Sequence, residues 1–300
     1  MNSSVVSTAL PPALAVIMFG LGLSLTVADF ARVTRAPKAV AIALTCQVLV
    51  LPAVAFVLVG LFDLPPLLAV GMMLLAASPG GATANLFSHL FRGDVALNVT
   101  LTAVNSLLCV VTVPLVTNLA IDRFAHDQAA ELGLQFGKTM QVIAIVLVPV
   151  LIGMWVRRRA PGFAATMDRP VRIASIGILA TLVFAAMLAD RSALGGYFLD
   201  VGAVAALFCV LSLGIGYLVP RGFGIAAPQA IASSMEIGIH NSAVAITLAV
   251  SVLDSPRIAV PAAVYAVLMT PLAALAGTVI TRTRLGAQRE PAPSSPGGPA

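Results

Sequence analysis

Long apolar segments alternate with short clusters of Pro, Gly, Asp and Arg along most of the chain. Nine segments are read, at roughly residues 8–28, 39–62, 66–91, 95–119, 134–156, 171–189, 198–219, 225–253 and 258–281, long enough to cross a hydrocarbon layer as helices and too long for barrel strands. Arg35-Ala36-Pro37-Lys38, Asp63-Leu64-Pro65-Pro66, Arg92-Gly93-Asp94, Arg157-Arg158-Arg159, Asp190-Arg191, Pro220-Arg221-Gly222 and Asp254-Ser255-Pro256-Arg257 separate them, since Pro and Gly punctuate helices. Two segments are interrupted. In the third, Ser78-Pro79-Gly80-Gly81 falls midway; Pro removes a backbone donor and Gly favours leaving the helix. In the eighth, Gly238 sits beside His240-Asn241-Ser242, whose side chains compete for backbone groups. Irregular backbone at this depth survives only where it is buried in protein or lines a wet cavity. The two interrupted segments run in opposite directions, as an inverted-topology repeat predicts, and such folds bind ligands where broken helices meet near the midplane. The halves show no clear sequence identity, so the repeat rests on topology alone.

Composition agrees with this reading. The chain is 59% hydrophobic and 10% charged, against about 45–50% and about 25% in soluble domains, and its mean hydropathy is +1.02. The predicted fold is an all-α polytopic membrane protein with about nine transmembrane helices and an inverted-repeat core built on two broken, crossing helices. A net charge of +5 invites a nucleic-acid partner, but the positions of the charges exclude that reading. With the N-terminus outside, Arg32, Arg35, Lys38, Arg92, Arg157, Arg158, Arg159, Arg169, Arg172, Arg221, Arg282, Arg284 and Arg289 share one side, and only Arg123, Lys138, Arg191 and Arg257 the other. Basic loops stay cytoplasmic. The reading is therefore a multi-pass protein of the cell (inner) membrane with a cytoplasmic C-terminus. Cys46, Cys109 and Cys209 fall inside apolar segments and read as small buried hydrophobes, not disulfides or a metal cluster. The first segment has no basic residue before it and reads as a retained helix, not a signal peptide. Residues 1–284 form the transmembrane domain, and 285–300, rich in Gly, Pro and Ser, a disordered cytoplasmic tail.

Glu236 is the acidic residue set well inside an apolar segment; the other Asp and Glu fall in loops, tails or segment ends. A carboxylate at bilayer depth costs roughly 2.5–3.5 kcal/mol on insertion scales, so a chain that keeps one there is expected to supply a cation or a proton for it. Polar residues gather at the same depth. Thr83, Asn85, Ser88 and His89 follow the first break; Asn98, Thr102 and Asn105 share one face of the fourth segment at i, i+4, i+7. Gln47 lies in the second segment, and Ser233, Ser234, His240, Asn241 and Ser242 surround Glu236. Carboxylate, amide, hydroxyl and freed carbonyl oxygens suit a hard cation, whereas a transition metal asks for clustered Cys or His. A half-helix ending at a break aims carbonyls at a cation, and one starting there aims N–H groups at an anion. Bland readings exist for most of these residues. Membrane Ser and Thr usually bond back to their own helix, Asn98 or Gln47 alone serves as glue between helices, His89 reads as an interface residue, and His240 as a hydrogen-bond partner of Glu236. Glu236 itself has the weakest structural explanation.

Pro79-Gly80-Gly81 with Asn85, Arg92-Gly93-Asp94-Val95-Ala96-Leu97, Glu236-Ile237-Gly238 and His240-Asn241-Ser242 occur in that order, with Met18-Phe19-Gly20-Leu21-Gly22-Leu23 and Pro37-Lys38-Ala39-Val40 before them. In these motifs the chain resembles the bile acid:sodium symporter family, over about residues 10–282. The resemblance implies a core domain (39–119 and 198–281) that moves against a panel domain (8–28, 134–156 and 171–189), with sodium and substrate near the crossover. It implies one sodium site from Glu236, Asn85, Asn98, Thr102 and a carbonyl near Ala84. It implies a second from Glu236, Gln47, the carbonyls of Ile237 and Ile239, and residue 240. Asn241 and the chain at the breaks (Ala82, Thr83 and Ser242) would face the substrate. Two departures stand out: Ala84 occupies a position that is often Ser or Thr, and His240 one that is usually Gln. An imidazole offers one nitrogen to a cation and titrates near pH 6.5 when unperturbed, so the second site is weak or takes a proton.

The resulting function is a sodium-coupled secondary transporter of an organic anion, bile-acid-like or a small carboxylate, working by alternating access in a lipid bilayer. The alternative is a proton-coupled carrier using Glu236 and His240. No G-x-x-x-x-G-K-[ST] motif marks an ATP site. An intramembrane enzyme is disfavoured: Ser234, Glu236 and His240 share a helical face only if the chain between them stays helical. The orientation is testable. A C-terminal fluorescent fusion is expected to fluoresce and a C-terminal alkaline phosphatase fusion to be inactive; the reverse pattern would overturn the topology.

Overall fold

The computed structural model describes residues 18–128, 136–167 and 194–287, with residues 12, 15, 16, 170, 171, 173, 174 and 177. Among them, regular structure is helical apart from one isolated β-bridge. After a helical stretch over 18–24, the elements are α1 (Val27–Ala31), α2 (Pro37–Leu61), α3 (Pro66–Ala77), α4 (Ala82–Leu90), α5 (Val95–Phe124), α6 (Phe136–Arg159), α7 (Leu194–Gly222), α8 (Ala227–Gly238), α9 (Ser242–Ser251) and α10 (Pro256–Ala287). Residues 161–167 are also helical.

Local chemistry explains where the helices begin and stop. Pro stands in the first turn of α2, α3 and α8 and opens α10; there its missing N–H is not needed. The Asp94 side chain accepts from the Leu97 N–H at 3.0 Å and caps α5; Asn241 does the same for α9 through the Val244 N–H at 3.3 Å. Positive φ at Asp63 (47°), Arg92 (58°), Gly224 (77°) and Asp254 (49°) turns the chain out. The N–H groups of Leu64, Gly93 and Ile225 then bond back to Val59, Ser88 and Pro220, a Schellman-type closure, and after Asp254 the Ser255 N–H bonds back to Ala249.

Both breaks lie where the Pro-Gly and Gly-x-His-Asn patterns put them. Ser78 leaves α3 in an extended conformation, and Ile239 leaves α8 likewise outside the helix. The two interruptions cross and pair antiparallel, Gly80 opposite His240. Gly81 N–H donates to the Ile239 carbonyl at 2.8 Å, and Asn241 N–H to the Pro79 carbonyl at 2.8 Å. Each break thus satisfies backbone groups of the other. The order of elements repeats around them: long helix, broken pair, long helix, as α2, α3/α4, α5 and again as α7, α8/α9, α10.

Packing separates interior from perimeter. α3 is buried from Leu68 through Ala77 and packs on α5 and α10; α8 is buried from Ala230 through Gly238 and packs on α7. A helix apolar all round must be buried. The long helices instead turn large apolar side chains outward, among them Val57 and Leu61, Val111 and Leu115, Val210 and Leu218, Leu275 and Val279, the surface expected against lipid. Among the described residues, Pro37–Leu61, Val95–Phe124, Val201–Gly222 and Pro256–Thr283 are long and apolar enough to cross a membrane, and Pro66–Ala77 and Ser242–Ser251 are shorter apolar helices.

Three expectations are corrected. The segment read as 8–28 stops at Ser24: Leu25 and Thr26 are non-helical, because Asp29 accepts from both the N–H and the hydroxyl of Thr26 and starts α1 there. The helix read as ending at 281 continues to Ala287, into the segment read as tail; a helix does not have to end where its apolar run does. The second segment is not a uniform α-helix, since Cys46–Val50 winds as a π-turn, with Leu51 N–H on the Cys46 carbonyl. The segment 171–189 lies outside the described residues except for 171, 173, 174 and 177, as does the tail beyond 287.

Close approach makes one glycine a test of this packing. A Cβ on Gly71 would overlap the Ile258 carbonyl of α10 and reach the Pro261 ring at 2.9 Å. Gly71→Val is expected to lower stability by about 1–3 kcal/mol, the usual scale for overpacking, read as a fall in melting temperature in detergent. Gly60→Ala, which meets nothing within 4 Å, is expected to leave it unchanged.

Candidate functional site

Glu236 stands in the last turn of α8 with no solvent exposure. Its carboxylate faces α5 and the first break. Thr102 Oγ1 donates to Oε2 at 2.5 Å, and Asn105 Nδ2 donates to Oε1 at 3.2 Å. Gly80 lies directly against it: any Cβ there would overlap the carboxylate, so the first glycine of the break has a steric reason. Among the described residues the ion pairs are Arg32–Asp29 and His126–Asp122; no basic side chain pairs with Glu236. No group of three or more His, Cys, Asp or Glu able to hold a metal occurs among them either.

The amides around this carboxylate follow one pattern. Asn98 Nδ2 donates to the Ala232 carbonyl at 2.8 Å, Gln47 Nε2 to the Ser78 carbonyl at 3.1 Å, and Asn105 Nδ2 to Glu236. Each facing group only accepts, which fixes the NH2 end of each amide toward it. The oxygen ends are left over: Gln47 Oε1, Asn98 Oδ1 and Asn105 Oδ1 are buried without a hydrogen-bond partner, as is Asn85 Oδ1 on α4. Spare buried donors would ask for an anion. Spare buried acceptors beside a carboxylate ask for a cation, because an unpaired buried polar group is costly.

His240 is held on three sides. Its Nδ1 donates to the Ser78 carbonyl at 3.2 Å. Phe208 stacks on its ring at 5.5 Å between centroids, and Tyr265 meets it edge-on at 5.5 Å. Tyr265 Oη in turn donates to the Gly238 carbonyl at 2.8 Å, capping the end of α8. His240 Nε2 is buried without a partner. His240 therefore does not hydrogen-bond to Glu236; it caps the end of the other half-helix, α3.

The remaining predicted residues fall around the crossing. Ala84 is fully buried on α4, and the buried Ile237 and Ile239 flank Gly238; the Ile239 carbonyl already accepts from Gly81 N–H. Asn241 caps α9, Ser242 Oγ is buried without a partner, Thr83 is exposed, and Ala82 opens α4. The starts of α4 and α9 thus meet the ends of α3 and α8 at one place. His89 is exposed at the far end of α4, as its interface reading requires. Sequence reasoning left Asn105 outside the ligand sets, although its i, i+7 spacing from Asn98 put it on the right face. It also missed Phe208 and Tyr265, which nothing in an apolar segment distinguishes from lipid-facing aromatics.

Comparison with known proteins now adds to this geometry. A sequence model of the Sodium Bile acid symporter family matches residues 11–195. The chain is 29% identical over 257 residues to the "Probable sodium/metabolite cotransporter BASS1, chloroplastic" of Arabidopsis thaliana, covering 85% of this chain and 62% of that protein. It is 32% identical over 261 residues to the "Uncharacterized sodium-dependent transporter YocS" of Bacillus subtilis, covering 85% and 77%. It is 25% identical over 248 residues to the human "Ileal sodium/bile acid cotransporter", covering 82% and 70%. The chain thus spans less than two thirds of the plant relative's length. The family match ends before Glu236, but alignments this long in a chain of 300 residues take in both breaks.

The hydrogen bond from Thr102 to the carboxylate is separable from ordinary threonine back-bonding. Thr102→Val is expected to lower stability in sodium-free buffer by about 1.5–3 kcal/mol, the scale for a hydrogen bond to a charged group, measured by thermal melting. Thr247→Val, whose buried hydroxyl bonds only to Ala243 of its own helix, is expected to cost far less.

Proposed function

Because this chain belongs to the Sodium Bile acid symporter family, and so is a membrane transporter and not an enzyme, we propose that it carries an organic anion with sodium by alternating access. The observation that carries the reading is the surplus of acceptors at the crossover. A buried carboxylate with no basic partner among the described residues sits beside the amides of Gln47, Asn98 and Asn105, whose nitrogens each donate a hydrogen bond and whose oxygens have no partner. A proton would satisfy one of these acceptors; a small hard cation is ligated by several at once. In this reading Glu236, Asn85, Asn98, Thr102 and the Ala84 carbonyl hold one sodium ion near α4 and α5.

The anion is placed on the other side of the crossing. The N-terminal ends of α4 and α9 present positive dipole ends, and Ala82, Thr83, Asn241 and Ser242 lie there. Sodium bound between α4, α5 and α8 neutralises Glu236 and strengthens the same field. Each ligand then favours the other, which is the linkage a symporter requires. The backbone bonds between the breaks make the crossover one body, so alternating access is assigned to its movement as a core against a panel that includes the N-terminal segment and α6.

The test is a thermal-shift screen of organic acids on the purified full chain, each with sodium and with choline in its place. Sodium at a hundred times its dissociation constant is expected to stabilise by about 2.7 kcal/mol, and one acid to add to this only when sodium is present. Glu236→Gln is expected to lose both shifts. Undiminished sodium-dependent stabilisation in Glu236→Gln would overturn the proposal.

A further inference from the structure

The turn Arg92-Gly93-Asp94 joins α4 to α5 and contributes none of the ligands assigned above, yet it is built against the helix that carries Glu236. Arg92 takes the left-handed conformation (φ 58°), and Gly93 N–H closes on the Ser88 carbonyl at 2.7 Å. Gly93 then lies directly against α8. A Cβ there would meet Ile231 Cγ2 at 2.9 Å, Ala232 N at 3.2 Å and Ser88 O at 3.2 Å. Asp94 makes two attachments. Its side chain caps α5 through the Leu97 N–H, and its own N–H donates to the Pro228 carbonyl of α8 at 2.9 Å. The residue that starts α5 thus also ties it to α8.

This contact is the first of three with one spacing. Asp94 N–H donates to the Pro228 carbonyl, Asn98 Nδ2 to the Ala232 carbonyl at 2.8 Å, and Thr102 Oγ1 to Glu236 Oε2 at 2.5 Å. The partners stand 134 positions apart in each pair. Residues four apart share one face of a helix, so α5 and α8 run parallel and in register, donors on α5 and acceptors on α8. Pro228 and Ala232 offer helix carbonyls, each with a second lone pair to give. Such bonds are not needed to complete either helix; they fix how one lies along the other. Eight residues of helix span about 12 Å, so the turn acts on Glu236 from that distance. A slip of α5 by one residue would move Thr102 by about 1.5 Å and turn it by about 100°, taking its hydroxyl off the carboxylate.

We propose that Gly93 and Asp94 are positioning residues of the cation site. Seated on Pro228, Ile231 and Ala232, they set the register in which Asn98 meets α8 and Thr102 meets Glu236. The inference rests on the sodium-coupled reading above and extends it from the groups that touch the ion to the turn that aims them. Outer groups that orient ligands typically cost about 10–100-fold in metal affinity when altered. The part played by Gly93 is the space it leaves, so trimming the side chain opposite compensates for filling that space. The part played by Asp94 is a backbone N–H, which a change of side chain alone does not remove.

The experiment is equilibrium binding of 22Na+ to the purified full chain, with the melting temperature measured beside it. Gly93→Ala is expected to weaken sodium binding by about 10–100-fold. The double variant Gly93→Ala with Ile231→Ala removes the Cγ2 that the new methyl meets and is expected to regain most of the loss. Asp94→Pro deletes the N–H at a φ of −76°, which proline accepts. It is expected to weaken binding well beyond Asp94→Ala, which loses only the cap of α5. Gly153→Ala serves as the comparison for stability alone: a Cβ there would overlap the Phe19 carbonyl, in a contact between α6 and the N-terminal segment. It is expected to lower the melting temperature and leave the sodium midpoint in place. Should Gly93→Ala fail to fold, the two Asp94 variants decide. The proposal is overturned if Gly93→Ala and Asp94→Pro bind sodium as the unsubstituted chain does. It is overturned equally if the double variant regains nothing, or if Gly153→Ala weakens binding as much, since lost stability would then explain both. Absence of any 22Na+ binding to the unsubstituted chain would sink the sodium-coupled reading itself, and this proposal with it.

Discussion

A helix that stops inside a membrane leaves carbonyls at one end and N–H groups at the other, and lipid can satisfy neither. Each unmatched group costs several kcal/mol. In this protein two such stops occur, and they are placed against each other so that Gly81 and Asn241 donate to Ile239 and Pro79 across the crossing. The remaining carbonyls at the helix ends find side chains: Ser78 takes Gln47 and His240, and Gly238 takes Tyr265. Remove the crossing and neither break is tolerable alone. The burial of α3 and α8 on all sides, the glycine at position 80 and the long flanking helices all serve to keep it sealed.

Sealing the backbone leaves the side chains free to be unbalanced, and they are. Around Glu236 the first half of the chain supplies Gln47, Asn98, Thr102 and Asn105; around His240 the second half supplies Phe208 and Tyr265. Glu236 reaches from the second half into the first. A carboxylate fixed by Thr102 and Asn105 cannot relax away from an arriving charge. Its position is set before anything binds, which is the preorganisation a selective site needs.

Both breaks and Glu236 were legible in the sequence because each violates a rule strongly: Pro-Gly-Gly inside an apolar run, and a charge at depth. Asn98 and Thr102 were legible through helical spacing. What stayed hidden depends on three-dimensional packing. The Thr26 cap that ends the first segment looks like the frayed end of an apolar run until Asp29 is seen to accept from it. Residues Cys46 to Val50 are ordinary for an α-helix, and nothing in them announces a wider turn. His240 read as a neighbour of Glu236 because four positions separate them; the break between them swings the ring toward Ser78 and Phe208 instead.

The π-turn in α2 changes how the two ends of that helix are phased. One turn there takes a residue more than an α-turn does, so Leu51–Leu61 is rotated relative to Pro37–Thr45 from where an unbroken α-helix of the same length would set it. Losing one codon between Cys46 and Val50 would return the wide turn to an ordinary one and leave the two ends nearly in their present phase. Losing one elsewhere in the helix would turn one end against the other by about 100°, taking Gln47 from the crossing or the greasy outer face from the lipid. The wide turn is therefore the one place in this helix where gene length can change without re-aiming its faces.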